Sequence, residues 1–261
     1  MSAFRTKKRF GQHFLTDQMV LGHICDYAKL GKGQTCIEIG PGQGALTRFL
    51  LETGADIHAI EIDQRLIPTL EKFQKQHSHF SFTMSDVLNV DLSELLGNQS
   101  VSIIGNLPYE ISTPLLFKLI DVRSQIQQMV FLLQKEVVER ITAEVGTKAY
   151  GRLAVMMQYY FSVEGLLVVP PEAFSPPPKV MSQVVRLVPL SRDWLDHDAL
   201  SAFVKYFFAQ QRKMLRQRFK SYLTNEEWDS LGIDSAIRPS QLPLEDILRL
   251  FTYLQSQGHF L

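Results

Sequence analysis

The chain has 261 residues, 45% hydrophobic and 21% charged, which suits a soluble folded protein and excludes a disordered, collagen-like or disulfide-framework chain. Its formal charge of +0 conceals segregation: residues 1–12 carry +4 (Arg5, Lys7, Lys8, Arg9), residues 205–223 carry +6, and the remainder sums to −10. Two concentrated basic stretches suggest a polyanionic partner touched at two places, although basic runs are often solvated faces.

The N-terminus, MSAFRTKKRFGQHFL, is basic without a following apolar core, so no secretory signal is expected. No uncharged apolar run approaches the roughly 18 residues that a membrane span needs. Cys25 and Cys36 make neither a disulfide framework nor a metal pair, and no metal site is expected. A reducing, cytoplasmic setting follows from that cysteine usage.

A helix is expected over about 17–29, with Thr16 or Asp17 as its cap. Strand-length apolar runs then occur at 35–39, 56–61, 80–85, 101–105 and 129–134. Helix-period stretches lie between and after them, at about 44–53, 64–76, 111–121, 135–145 and 151–161. This alternation predicts a mostly parallel sheet with helices on both faces. Two further strands, 162–169 and 182–188, flank the Pro176-Pro177-Pro178 turn and would close the sheet with an antiparallel element. Beyond about 190 the strand signal disappears, and helices are expected over 198–222, 225–231 and 244–256. The domain boundary is placed at 189/190, separating an α/β domain from a small all-α one.

The first strand runs directly into Gly40-Pro41-Gly42-Gln43-Gly44-Ala45. A glycine turn there lets a ligand approach the backbone at the carboxyl end of the sheet. Gly40-x-Gly42-x-x-Ala45 fits a dinucleotide fingerprint, and Glu38-x-Gly40-x-Gly42-x-Gly44 fits S-adenosylmethionine enzymes. Glu61, 21 residues after Gly40, can accept hydrogen bonds from both ribose hydroxyls of an adenosine, which either cofactor requires. Asp86, after the third strand, can accept from the adenine amine or merely cap a turn.

Asn106-Leu107-Pro108-Tyr109 ends the fourth strand. The lone pair of adenine N6 is delocalised into the ring and nucleophilically poor. Two acceptors on its N–H bonds, the Asn106 side-chain oxygen and the Leu107 carbonyl, favour a pyramidal nitrogen. Pro108 fixes the backbone that carries that carbonyl. Tyr109 can stack on the base, and Phe174, beside the proline turn, can cover its other face. Positioning and electrostatics would carry such a reaction without a metal. The same residues would also serve a plain strand-end turn and a core phenylalanine.

These motifs together resemble the ribosomal RNA adenine-N6,N6-dimethyltransferases, in particular the bacterial small-subunit (KsgA-type) branch. The resemblance runs over nearly the whole chain: Arg9–Leu15, Glu38–Thr47, Glu61, Asp86, Asn106–Tyr109, Phe174–Val180 and Phe208–Leu215. It implies a Rossmann-like S-adenosylmethionine-dependent methyltransferase domain followed by a helical domain that grips RNA or the ribosome. It implies that His13 and Leu15 border the cofactor and that Gly40 lies against its methionine part. Glu61 would bind the ribose, Asp86 the cofactor adenine, and Asn106 would sit between cofactor and target base. The family often has Asn where His13 stands, and Arg where Gln211 stands. The implied substrate is a pair of adjacent adenosines near the 3′ end of small-subunit RNA, and the implied partner is the small ribosomal subunit.

The C-terminal charges agree with that expectation. Lys205, Arg212, Arg216 and Lys220 are spaced 7, 4 and 4, one face of a continuous helix, with Lys213 close by. Val204, Phe208, Leu215 and Phe219 repeat the spacing one position earlier and would pack inward. A monomer is expected. The alternatives are dimethylation of large-subunit RNA, a non-catalytic assembly factor, and an NAD-dependent dehydrogenase, which leaves Asn106–Tyr109 and the basic stretch unexplained.

Overall fold

A computed structural model describes residues 13–192 and 194–260. The basic N-terminal stretch, with Arg5, Lys7, Lys8 and Arg9 and the Arg9–Gln12 part of the motif, lies outside the described residues. The chain forms two compact units. The first takes the described residues up to Val138 together with Ser162–Pro189, and the second takes Glu139–Phe161 and the chain from Leu190 onward.

The first unit opens with β1 (Phe14–Leu15), α1 (Gln18–Ala28), β2 (Thr35–Ile39), α2 (Ala45–Glu52) and β3 (Asp56–Glu61). It continues through α3 (Ile67–Gln76), β4 (Phe80–Met84), α4 (Leu92–Leu96), β5 (Val101–Asn106), α5 (Tyr109–Asp121) and β6 (Ile126–Gln134). After α6 (Lys135–Ile141) and α7 (Arg152–Tyr160), β7 (Phe161–Val169), β8 (Phe174–Ser175) and β9 (Ser182–Pro189) return to the sheet region. Seven strands run in the order β4-β3-β2-β5-β6-β9-β7. The pairs from β4 to β6 are parallel, and β9 runs antiparallel to β6.

Burial explains the apolar runs. The central strands β2 and β5 are covered on both faces, so their sequences read as continuous apolar segments. Leu21 and Ile24 of α1, Leu50 of α2 and Leu70 of α3 pack with Ile57 and Ala59 of β3 in one core cluster. The chain leaves β2 toward β3 and β4 on one side, then returns to place β5 on the other. The carboxyl ends of β2 and β5 are therefore neighbours, with Ile39 opposite Gly105, which is where open α/β sheets bind ligands.

Local chemistry sets the helix starts. Asp17 caps α1 by accepting from Met19 and Val20 N–H, while the Thr16 hydroxyl donates to the Ala173 carbonyl instead. Gly44 starts α2 in the left-handed region at φ 79°, and a Cβ there would stand 2.2 Å from the Phe73 ring. Any side chain there would displace the Phe73 ring and strain the backbone at that positive φ.

The second unit contains α7, α8 (His197–Phe208), α9 (Leu215–Arg218), α10 (Asn225–Leu231) and α11 (Leu244–Ser256). The Tyr160 hydroxyl lies 2.9 Å from His197 Nδ1, and Arg152 donates to Ser201, so α7 packs on α8. The helix expected over 198–222 is interrupted. Leu215 N–H donates to the Ile237 carbonyl and Arg216 N–H to the Ser235 carbonyl, and Met214 is extended at ψ 153°. These tertiary bonds replace the donors' helical partners and break the helix after Phe208. Val204, Phe208, Leu215 and Phe219 are buried nonetheless. Among the described residues no helix is long and apolar enough to cross a membrane.

Candidate active site

A cavity of about 370 Å³ opens at the carboxyl ends of β2, β3 and β5. The structure gathers His13, Leu15, Gly40, Glu61, Asp86, Asn106, Leu107, Tyr109 and Phe174 around it. The carboxyl ends of β2, β3, β4 and β5, with the turns that follow them, supply most of them. β1 supplies the rest by pairing with β8, with Leu15 opposite Phe174. That ladder brings the start of the described chain and the proline-rich turn to one side of the cavity.

The glycine loop is held from two directions. Gly42 has φ 57°, and a Cβ on it would stand 2.9 Å from the Phe14 ring. Its N–H donates to Glu61 Oε2 at 3.1 Å. Glu61 Oε1 accepts from Ile62 N–H at 2.9 Å and Asp63 N–H at 2.8 Å. Three of the roughly four acceptor positions of the carboxylate are thus committed to backbone, and an open position remains on Oε2. Burial raises the Glu61 pKa, and the three N–H groups pull it back. Asp86 Oδ1 accepts from Leu88 N–H at 2.9 Å, so the turn-capping role and the cavity position coexist in one side chain.

Asn106 Nδ2 donates to the His13 carbonyl at 3.1 Å. A carbonyl only accepts, so the amide orientation is fixed, and Oδ1 is left to accept from a ligand. Pro108 stands at φ −55° and ψ 139° immediately before α5. The Tyr109 ring lines the cavity, and its hydroxyl lies 3.3 Å from Ser182 Oγ on β9. His13 stacks on Tyr109 with ring centroids 6.1 Å apart and an interplanar angle of 28°, and its Nδ1 bonds the Pro176 carbonyl at 2.8 Å. Phe174 is buried in the wall beside Leu15.

Arg48 and Glu110, which no sequence motif singles out, also border the cavity, as does Glu38, which the sequence marks only as the first position of the glycine-loop pattern. The signal for Glu38 was an acid inside the apolar strand TCIEI. It is 1% exposed, and neither carboxyl oxygen has a hydrogen-bond partner. Burial pushes its pKa up to about 8; the neighbouring Thr47 hydroxyl opposes the rise and the Glu61 charge adds to it. The Arg48 guanidinium lies 5.8 Å from the Phe73 ring centre.

In the second unit Lys205, Arg212, Lys213, Arg216 and Lys220 are all exposed. They occupy α8, the turn after it, α9 and the turn beyond, so the single helical face inferred from their spacing does not exist. Arg218 behaves differently: its guanidinium lies 3.7 Å from the Tyr206 ring centre, and it donates to the Tyr206 carbonyl.

Comparison with known proteins gives this geometry a lineage. The chain is 44% identical over 254 residues to a ribosomal RNA small subunit methyltransferase A of Alcanivorax borkumensis, covering 96% of this chain and 90% of that protein. It is 42% identical over 259 residues to the protein of the same name from Dechloromonas aromatica, covering 97% of this chain and 100% of that one. A dimethyladenosine transferase of Plasmodium falciparum superposes with a TM-score of 0.83 at 27% identity, over 94% of this chain and 98% of that chain. The 23S rRNA methyltransferase ErmE shares the fold, with a TM-score of 0.75 at 24% identity over 93% and 99% of the two chains. The family model described as ribosomal RNA adenine dimethylase matches residues 3–256. With the glycine loop, the strand-end acids and the Asn106–Tyr109 turn assembled on one such fold, the chain belongs to the ribosomal RNA adenine dimethylase family.

Proposed function

We propose that this protein transfers methyl groups from S-adenosylmethionine to N6 of two adjacent adenosines near the 3′ end of small-subunit (16S) ribosomal RNA, giving N6,N6-dimethyladenosines during small-subunit maturation. The observation that carries this reading is the fixed Asn106 amide. Its nitrogen is held by the His13 carbonyl, and its oxygen remains available beside a glycine-loop cavity. The 42% and 44% identical relatives, both named ribosomal RNA small subunit methyltransferase A, favour small-subunit over large-subunit RNA.

The cavity's own residues suit the cofactor. Its lining carries the acids Glu38, Glu61, Asp86 and Glu110 against the basic Arg48 and His13, a balance that favours a cationic ligand. The open position of the Glu61 carboxylate would accept from ribose, and Asp86 from the adenine amine. Gly40 and Leu15 would flank the rest of the cofactor, with the His13 backbone beside them. When bound, S-adenosylmethionine supplies an activated methyl group and a good leaving group.

The chain's residues do the remaining work. Asn106 Oδ1 and the Leu107 carbonyl would accept the two N6 hydrogens and turn the nitrogen lone pair toward the cofactor. Tyr109 would stack on the extruded base, its hydroxyl tethered to Ser182, and Phe174 would wall the opposite side. Fixed acceptors cost no reorganisation at the moment of reaction. Lys205, Arg212, Lys213, Arg216 and Lys220 would meet RNA phosphates from the helical unit, and the protein would act as a cytoplasmic monomer on the small ribosomal subunit.

A labelled-methyl transfer assay on unmethylated small subunits, naked small-subunit RNA and large subunits tests the proposal. Incorporation into adenines of small-subunit RNA is expected, and incorporation confined to large subunits would overturn it.

A further inference from the structure

Glu38 is the acid that the mechanism above leaves unused. It lies on β2 immediately before the glycine loop, it borders the cavity, and both its oxygens are buried with no polar neighbour but the Thr47 hydroxyl, which lies outside good hydrogen-bond geometry. Glu61, by contrast, receives three backbone N–H groups. We infer that Glu38 is protonated in the ligand-free protein and ionises when a cation enters the cavity, so that the site distinguishes the cationic methyl donor from its neutral thioether product. This rests on the S-adenosylmethionine reading and adds a selectivity to it.

The physical argument is one of compensation. A buried carboxylate without hydrogen bonds carries a large desolvation cost, so the neutral acid is favoured. The surroundings of Glu38 do not relieve that cost. Glu61 on β3 faces it with like charge, and the thiols of Cys36 on β2 and Cys25 on α1 offer no cation. The buried Thr47 hydroxyl of α2 helps only partly. Farther round the wall, Asp86 and Glu110 add acids, and Arg48 and His13 are the basic groups among the described lining residues. A ligand bearing a sulfonium brings the missing positive charge into a poorly screened space. The Glu38 proton then leaves to solvent. Once the methyl is transferred, the sulfonium becomes a neutral thioether and the reason for ionisation goes with it. Glu38 takes back a proton from solvent, and the product is held less firmly than the donor.

Burial pushes the carboxyl up to about 8, which sets the conditions of the test. At pH 7 such a group is about nine-tenths protonated. Calorimetric titration of the full chain with S-adenosylmethionine at pH 7, in buffers of different ionisation enthalpy, is expected to register release of close to one proton. S-adenosylhomocysteine should release markedly less. Donor affinity should rise by up to about tenfold per pH unit below pH 8 and level off above it. Glu38→Gln, an isostere of the neutral acid, should abolish the proton release from donor binding and bring the two ligands' affinities together. Donor binding by the wild type without proton release, or release that persists in Glu38→Gln, would overturn the inference. The wild-type titration is decisive even where the variant folds poorly. Failure of both ligands to bind would overturn the cofactor reading and this inference with it.

Discussion

The cavity of the first unit and the basic surface of the second use charge in opposite ways. In the cavity three of the charged or polar groups are fixed by backbone: Glu61 by three N–H groups, Asp86 by Leu88, Asn106 by His13. On the second unit Lys205, Arg212, Lys213, Arg216 and Lys220 stand exposed on two short helices and the turns beside them. Fixed groups can discriminate between atoms of a small ligand. Exposed, long side chains recognise a density of phosphate rather than an arrangement, because each contact is roughly interchangeable with the next. Single substitutions should therefore be severe in the first region and graded in the second.

The sharpest break between them is expected at Asn106. Asn106→Ala removes one of two preorganised acceptors and should lower turnover by ~10²–10³. Affinity for S-adenosylhomocysteine should change little, since the glycine loop and Glu61 remain. Single-turnover methyl transfer beside a binding titration separates the two. Glu61→Ala comes next and acts on the other quantity. Loss of a charged acceptor typically costs ~1.5–3 kcal/mol, so cofactor affinity should fall by roughly 10–100-fold. The same substitution also frees Gly42 N–H from its partner, so Glu61→Gln, which keeps one acceptor, should fall between the two.

Replacing Arg212, Arg216 and Lys220 together by Gln tests the graded region. Binding to small subunits should weaken, and the slope of log affinity against log salt should flatten by about 0.7–0.9 per lost phosphate contact. Melting temperature and cofactor affinity should stay nearly constant, because Val204, Phe208, Leu215 and Phe219 remain buried. An unchanged salt slope would remove these residues from the RNA surface.

A separate effect concerns stability without ligand. Glu38 has a folded pKa of about 8 against an ordinary value of 4.5, so between those pH values the folded chain holds a proton that the unfolded chain has lost. Unfolding then releases a proton, and stability declines as pH rises through that window before levelling above about pH 8. Glu38→Gln removes this slope. In thermal melts the variant should gain on the wild type by roughly ten degrees between pH 5 and pH 8.

What the sequence disclosed follows the same division. β2 (Thr35–Ile39), β3 (Asp56–Glu61), α10 (Asn225–Leu231) and α11 (Leu244–Ser256) begin and end where composition and periodicity put them. Their limits are local: glycine loops, the Thr224–Glu227 capping box, Pro243 before Leu244. The four strand-end features, the glycine loop, Glu61, Asp86 and Asn106–Tyr109, were readable for a related reason, since a parallel sheet carries its strand ends to one edge. The break after Phe208 was not readable. The apolar period continues through it, and its cause lies in carbonyls of Ser235 and Ile237, some twenty residues away. The five-residue helix α4 is too short for a period to register, and the two-residue ladder of β1 and β8 has no local signal at all. Glu38 was visible as an acid in an apolar strand, but its want of a hydrogen-bond partner emerges only from the packing around it.

The β1–β8 ladder bears on how the protein is made. His13 meets Pro176 across 163 residues, Thr16 meets Ala173 across 157, and Asn106 meets His13 across 93. During synthesis the glycine loop, Glu61, Asp86 and Asn106 all emerge long before the segment that completes their enclosure. A nascent chain halted at residue 160 would carry the glycine loop and the strand-end residues through Tyr109 and still lack the wall formed by Phe174 and the carbonyl that receives His13. Such distant closure is entropically costly and comes late in folding. Competence to hold the cofactor is therefore acquired only after about two-thirds of the chain, through Pro176, has been made.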